Sequence, residues 1–351
     1  MKTKKVITCV GLAAGGLAIS AAALYTELMT SVIARRRSLL TNALLSIASD
    51  REDRPDEAVA ASIREKARAL RELGLEQVST RSKEGYVLRA HWYPAKNAVR
   101  TVILAHGWHS RWDVDFSASA PFFHDRGCNL LLIDQRCHGD SGGDLISYGI
   151  EERYDILAWL DWLDAHHAGL PVYLCGVSMG AATVLMTASL PVASRVTAII
   201  ADCGYSTPDE IVKLTVGKAL GGMTAPTLAA VNLNCKLRGG FTLGSASPIE
   251  AMARNTEIPC LFVHGDADDF VPVRMSIENF YACRAPKELF IVPHAGHGMS
   301  YLVNTEGYRQ RVLDFFHAWD NRLPRPTPRP APQPQKKKSF GKKTSKRRRT
   351  A

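Results

Sequence analysis

The sequence predicts an α/β fold, a mostly parallel central sheet flanked by helices. Three observations lead to it. Short apolar runs recur at Arg100–Ala105, Asn129–Asp134, Pro171–Cys175, Val196–Cys203, Pro259–His264 and Leu289–Pro293. Helical stretches, such as 151–165, 178–190, 273–283 and 307–319, lie between them. Continuous apolar strands that alternate with helices belong to sheets covered on both faces. Third, serine, aspartate and histidine residues stand in glycine-bearing turns just after several of these runs, and such sheets build their sites at the carboxyl ends of the strands.

The elements before and after this body are of a different kind. Lys2, Lys4 and Lys5 precede Val6–Leu24, 19 residues without a charge. That approaches the roughly 20 residues needed to span a bilayer. Residues 1–30 are therefore expected to be an uncleaved N-terminal membrane anchor, placing the chain at the cell membrane as a single-pass protein. A signal peptide cleaved near Ala21-Ala22-Ala23 is the alternative. Three basic residues stand on each side of the run, with Arg35-Arg36-Arg37 beyond it, so the side of the membrane stays open. Residues 31–74 are expected to form a helical stalk with no part in catalysis. Leu28, Val32, Ile33, Leu39 and Leu40 recur at helical spacing, and a charged second helix ends at Gly74. The body spans 75–320 and opens with a hairpin over 77–80 and 86–93. An insertion at about 204–256, with helices near 209–220 and 227–237, is expected to cap the site. Its apolar residues Ile211, Leu214, Val216, Leu220, Met223, Leu228, Val231 and Leu233 either line an acyl pocket or pack the cap on the core, and packing accounts for most of them.

The net charge is +10, from 44 Lys+Arg against 34 Asp+Glu. Twelve of the 44 basic residues lie in 322–351, which holds no acid; the remaining 32 against 34 acids give the rest of the chain a net of −2. The body thus has no bias toward nucleic acid or anionic substrates. The tail over 321–351 opens on prolines at every second position from Pro324 to Pro334 and ends in lysine and arginine clusters. It is expected to be a disordered, extended spacer with a basic end. Anionic lipid is a fitting partner for that end. Nucleic acid fits less well, because only Phe340 interrupts the charges.

Eight cysteines form no C-x-x-C pair, so mostly buried free thiols are expected. His106, His109, His138, His264, His294 and His297 are scattered without a metal-ligand pattern, and no metal or cofactor is expected.

The most specific signal is Gly176-Val177-Ser178-Met179-Gly180. It follows a strand and opens a helix, the setting in which G-x-S-x-G becomes a nucleophile elbow. Glycines on either side remove the clashes of a strained turn. Gly139-Asp140-Ser141-Gly142-Gly143 fits the same pattern and spells the trypsin-like GDSGG. No helix starts directly after Ser141, however, and an α/β chain is no trypsin; Ser141 reads as a turn residue.

The remaining chemistry follows in chain order. His106-Gly107-Trp108 follows a strand where acyl-transfer enzymes of α/β architecture place one oxyanion-hole N–H, here that of Trp108; the residue after the nucleophile, Met179, would supply the other. The His106 side chain is expected to brace the turn. Of the three acids in His264-Gly265-Asp266-Ala267-Asp268-Asp269-Phe270-Val271-Pro272, Asp268 stands three residues before Val271, the usual placement of the residue that orients the histidine. Asp266 and Asp269 read as turn formers. His297, between Gly296 and Gly298, is free to turn toward Ser178 as general base, and His294 reads as a loop brace.

With these pieces together, the chain resembles the α/β-hydrolases, and most closely the membrane-anchored bacterial members grouped with the serine-aminopeptidase-like hydrolases. The likeness runs over about 75–320 and rests on His106-Gly107, Ile133–Gly143 with Ser147-Tyr148-Gly149, the elbow, Ile200–Cys203, His264–Pro272 and Gly296–Tyr301. Cys137 departs from it, since relatives more often carry glycine or alanine there. The resemblance implies an α/β-hydrolase fold and a Ser178-Asp268-His297 triad, with the order serine, acid, histidine. The expected function is hydrolysis of a small acyl ester through an acyl-enzyme. A peptidase or amidase on the same triad, taking a short peptide, is the alternative. An acyl transferase, or a membrane adaptor working through the basic tail, stands further off.

Overall fold

The computed structural model describes residues 20, 22–36, 41 and 56–321. Most of the apolar run at 6–24, and all of 322–351, lie outside the described residues, and with them most of the expected anchor over 1–30 and the basic tail. Among the described residues no helix is long and apolar enough to cross a membrane.

The fold is the α/β-hydrolase fold. Eight strands form one sheet in the order β1-β2-β4-β3-β5-β6-β7-β8. In chain order they are β1 Glu76–Arg81, β2 Val87–Tyr93, β3 Arg100–Ala105, β4 Cys128–Asp134, β5 Val172–Val177, β6 Ala198–Asp202, β7 Cys260–Gly265 and β8 Lys287–Val292. The β1–β2 and β2–β4 pairs are antiparallel; from β4 onward every pair is parallel. The polarity of each run explains its place. β3, β4, β6 and β7 are buried along their whole length and lie inside the sheet, whereas β2 buries every second residue. Along β3, Ile103 and Ala105 join one core layer while Val102 and Leu104 join the other, as the two-residue repeat of a strand requires.

Two short helices, Trp112–Asp115 and Ala120–Asp125, connect β3 to β4. Helix Glu152–His166 is fastened to the end of β4 by a bidentate pair, Arg136 Nε and one Nη to Asp155 at 2.7 Å each, with both side chains about 5% exposed or less. Helix Met179–Thr187 is buried at every residue. Between β6 and β7 lie helices Pro208–Leu220 and Thr224–Gly239, followed by Pro248–Arg254.

The segment before the body is not set apart from it. Residues 22–33 form a helix that lies against Thr224–Gly239: Tyr25 Oη meets Thr227 Oγ1 at 2.5 Å, Asn234 Nδ2 donates to Thr30 Oγ1 at 3.0 Å, and Arg238 pairs with Glu27 at 2.7 Å. Helix Glu57–Glu72 is capped by Asp56 and sends Leu70 into the core; its Arg71 pairs with Asp113. Residues 31–74, expected as a stalk with no part in catalysis, reach the body here: Ile33 and Ile63 both line cavities at Ser178.

Candidate active site

β5 delivers Ser178 to the site through a turn that tolerates no extra atoms. A Cβ on Gly180 would stand 1.9 Å from the Ala105 carbonyl oxygen, and one on Gly176 would stand 2.3 Å from the Gly180 backbone. The turn forces Ser178 to φ 56°, ψ −116°. A non-glycine residue held there stores roughly 1–3 kcal/mol of strain. In return the turn lifts the Ser178 hydroxyl over the N-terminus of helix Met179–Thr187, where free N–H groups and the helix dipole favour negative charge.

His297 follows β8 on a loop and reaches Ser178 Oγ with Nε2 at 3.0 Å. Its Nδ1 lies 2.7 Å from Asp268 Oδ2. A carboxylate at that distance must receive a proton, so Nδ1 carries the hydrogen. Nε2 is then the acceptor for the Ser178 O–H. Asp268 is itself locked in place: its Oδ1 accepts the N–H groups of Phe270 at 3.0 Å and Val271 at 2.8 Å. The His264 ring, buried at the end of β7, approaches Asp268 Oδ2 at 3.1 Å. Burial would raise the Asp268 carboxyl, but the imidazoles of His297 and His264 hold it well below the usual carboxylate range. Burial would likewise lower His297; the Cys203 sulfur and the Asp268 carboxylate beside it reverse this, and the net direction is up. Burial pushes the Cys203 thiol itself up to about 11, so it is neutral near pH 7 and the charge that raises His297 is that of Asp268.

The turn after β3 closes against the elbow. A Cβ on Gly107 would meet Ser178 Cβ at 3.3 Å. The His106 ring braces this turn, with Nδ1 2.8 Å from the Gly107 carbonyl and Nε2 accepting from the Gln135 N–H at 3.2 Å. Burial pushes it down to about 3, so it stays neutral, as those two bonds require. Asp115, which sequence reasoning did not single out, accepts the Gly107 N–H at 2.6 Å and a bond from Ser110 Oγ. It fixes the loop that carries Trp108. The backbone N–H groups of Trp108 and Met179 have no acceptor among the described residues.

The other sequence candidates take structural places. Ser141 is fully buried; its Oγ donates to the Asp134 carbonyl at 2.6 Å and accepts from the Arg89 N–H at 2.8 Å. Asp266 accepts the His294 N–H at 2.6 Å, so the His294 backbone, not its ring, braces that loop. Cys137 has φ 62°, a conformation that glycine adopts freely, which accounts for the glycine expected in relatives. The seven described cysteines are buried free thiols. Among the described residues, one group could offer three ligands to a metal ion: Cys203, Asp268 and His297, whose ligand atoms lie within 4.8 Å of one another. An ion there would take His297 and Asp268 from each other, so it would compete with the hydrogen-bond chain to Ser178.

Two cavities meet at Ser178. The smaller, about 30 Å³, is walled by Ile33, Trp108, Tyr148, Tyr205, Phe270 and the insertion residues Ile211, Val212, Thr215 and Val216. The larger, about 380 Å³, holds His297 and Asp115 and extends to Ile63, Tyr301 and Leu302. Of the eight apolar insertion residues singled out in the sequence, Ile211 and Val216 line the small cavity; Val231 is fully buried, while Met223 and Leu233 are exposed.

Comparison with known proteins agrees with this architecture. Residues 96–234 match the family model described as serine aminopeptidase, S33. The chain is 32% identical over 239 residues to the uncharacterized protein YqkD of Bacillus subtilis (strain 168), covering 67% of this chain and 76% of that one. This chain belongs to the serine aminopeptidase (S33) hydrolase family. The uncharacterized protein YfhR of Escherichia coli (strain K12) is similar at 24% identity, over 68% of this chain and 80% of that one. Among solved structures, the Pyrococcus furiosus esterase Pf2001 superposes with a TM-score of 0.57 at 22% identity, covering 71% of this chain and 95% of that one. Est1E from Butyrivibrio proteoclasticus, solved with ferulic acid, gives 0.55 at 18% identity, covering 69% and 99%. These two likenesses concern the fold. Family membership makes the chain an α/β-hydrolase enzyme acting on ester or peptide bonds.

Proposed function

We propose that this protein is a serine hydrolase of small, uncharged acyl esters, with Ser178 as nucleophile, His297 as general base and acid, and Asp268 as the group that orients His297. The observation that carries this is the continuous hydrogen-bond chain Ser178 Oγ to His297 Nε2 to Asp268, at 3.0 and 2.7 Å. In the reaction, His297 takes the Ser178 proton as Oγ attacks the ester carbonyl. The oxyanion sits between the N–H groups of Trp108 and Met179. Collapse of the tetrahedral intermediate breaks the bond to the leaving oxygen, which receives the proton from His297. Water, deprotonated by His297, then releases the acid and restores Ser178.

The two cavities divide the substrate. The leaving oxygen must face His297, so the leaving group occupies the larger cavity, where His297 stands. The acyl group takes the small one, which His297 does not line. An aminopeptidase needs a carboxylate to hold the substrate's ammonium, since an unpaired charge is costly to bury. Among the described residues, no acid lines the small cavity. That favours a plain acyl group over an aminoacyl group, and hence an ester over the peptide substrate suggested by the family description. The assay is kcat/KM for p-nitrophenyl propionate against alanine p-nitroanilide, with Ser178→Ala as the control. The ester is expected to lead at least tenfold; faster turnover of the aminoacyl anilide would overturn the preference.

We further propose that the uncharged run at 6–24, ahead of the residues held against helix Thr224–Gly239, anchors the protein in a cell membrane and that the basic tail rests on anionic lipid. The support is the uncharged run at 6–24 and the 12 basic residues of 322–351. Recovery of the full-length chain in the membrane pellet after alkaline carbonate washing tests the anchor; release into the supernatant would refute it.

A further inference from the structure

The strongest unassigned feature of the site comes from far away in the chain. Ile33, at the end of the helix over 22–33, forms part of the wall of the small cavity beside Ser178 and is only 7% exposed. Its backbone is fixed from two sides of the site. The Ile33 carbonyl oxygen accepts the Trp108 indole Nε1–H at 3.1 Å and the Tyr148 hydroxyl at 2.7 Å. The next residue continues the attachment: the Ala34 carbonyl accepts the Ile146 N–H at 2.7 Å. Arg36 then donates to the carbonyls of Gly139, at 2.7 Å, and Ser141. Upstream, Thr30 and Glu27 are held by Asn234 and Arg238 of helix Thr224–Gly239. A backbone pinned by this many contacts on both sides of the cavity holds the Ile33 side chain in place as part of the wall.

We infer that Ile33 sets the depth of the acyl pocket and restricts the enzyme to short acyl chains; this rests on Ser178 being the nucleophile and on the small cavity taking the acyl group. One water needs roughly 10–15 Å³ of such space, so about 30 Å³ admits on the order of two or three heavy atoms beyond the carbonyl. Acetyl to butyryl groups fit that room, and longer chains meet Ile33. Discrimination by an apolar wall of this kind amounts to about 10- to 200-fold per methylene.

The test uses the full-length chain and p-nitrophenyl esters from acetate to octanoate, with Ile33→Ala, the milder Ile33→Val and the enlarged Ile33→Phe. The wild type is expected to fall at least tenfold in kcat/KM between butyrate and hexanoate. Ile33→Ala should move that fall to longer chains by at least one two-carbon step, Ile33→Val should move it less in the same direction, and Ile33→Phe should confine turnover to acetate. Fluorophosphonate labelling of Ser178 is measured on each variant. Normal labelling with an unchanged chain-length profile in Ile33→Val and Ile33→Ala overturns the role of Ile33 and leaves the hydrolase standing. Absence of labelling in the wild type removes the hydrolase reading, and this inference with it. The Val variant removes one methyl from a fixed wall, so it tests the direction of the shift even if Ile33→Ala does not fold.

Discussion

At the scale of single residues, the site depends on one proton being in one place. In the proposed mechanism His297 serves as base only when neutral, and its neighbours favour the charged form. Activity therefore rises with pH, and its acid limb lies above the ordinary histidine value of about 6.5. Asp268→Asn removes the carboxylate that pushes His297 up and that selects its Nδ1–H tautomer. The expected result is a fall in kcat of about 10⁴-fold, the size found when a serine triad loses this carboxylate. The acid limb of what activity remains should move to lower pH. A pH-rate profile of the variant checks both, and an acid limb that stays in place would separate Asp268 from His297. That Ser178, Asp268 and His297 would come together was legible because each sits in a glycine-bearing turn whose spacing constrains the choice. Asp115 was not. It lies in a short helix with no motif, and its value comes from a backbone bond to Gly107 that no local pattern announces.

At the scale of elements, polarity and length decided what could be read. The six apolar runs became β3 to β8, though β8 starts two residues earlier than expected, at Lys287, because an edge strand carries polar residues that blur its boundary. The helices between β3 and β4 were missed: four and six residues are too short to show a helical period. The elbow, by contrast, is a contact between elements that the sequence does announce. Gly180 exists so that helix Met179–Thr187 can press on the end of β3. Gly180→Ala is expected to cost about 3 kcal/mol, the upper range for forcing atoms into a packed interior. Gly222→Ala, where no atom of the described residues lies within 4 Å of the added carbon, should change stability by no more than about 0.5 kcal/mol. Urea unfolding of the two variants measures the contrast, and equal losses would mean that the elbow packing is looser than described.

At the scale of the whole molecule, the sheet gathers buried acids as well as apolar side chains. Asp202, at the end of β6, is 3% exposed, and burial pushes its carboxyl up to about 6 despite the Ser300 hydroxyl at 3.0 Å. Its ordinary value is 3.8. Between those values the folded protein binds a proton that the unfolded chain has released, so this group makes stability fall as pH rises through that window. Asp202→Asn should remove that slope and leave the protein more stable than the wild type near pH 7. Thermal unfolding at pH 4 and pH 7 is the check, and a wild-type-like slope in the variant would locate the effect elsewhere. The same scale sets the limit of sequence reading. The stalk assigned to 31–74 looked separate because its own pattern is amphipathic and uninformative about a partner. Its contacts with Trp108 and Tyr148, made by Ile33, join positions 75 and 115 residues apart, and only the fold brings them together.

All of this turns on Ser178 being an activated nucleophile. The decisive measurement is mass spectrometry of the full-length protein after treatment with a fluorophosphonate, compared with Ser178→Ala and with the decoy variant Ser141→Ala. One adduct is expected, on the peptide holding Ser178, present in the wild type and absent from Ser178→Ala. Ser141→Ala should retain it wherever the variant folds. An adduct on another serine, or none on folded wild-type protein, would show that Ser178 is not the nucleophile.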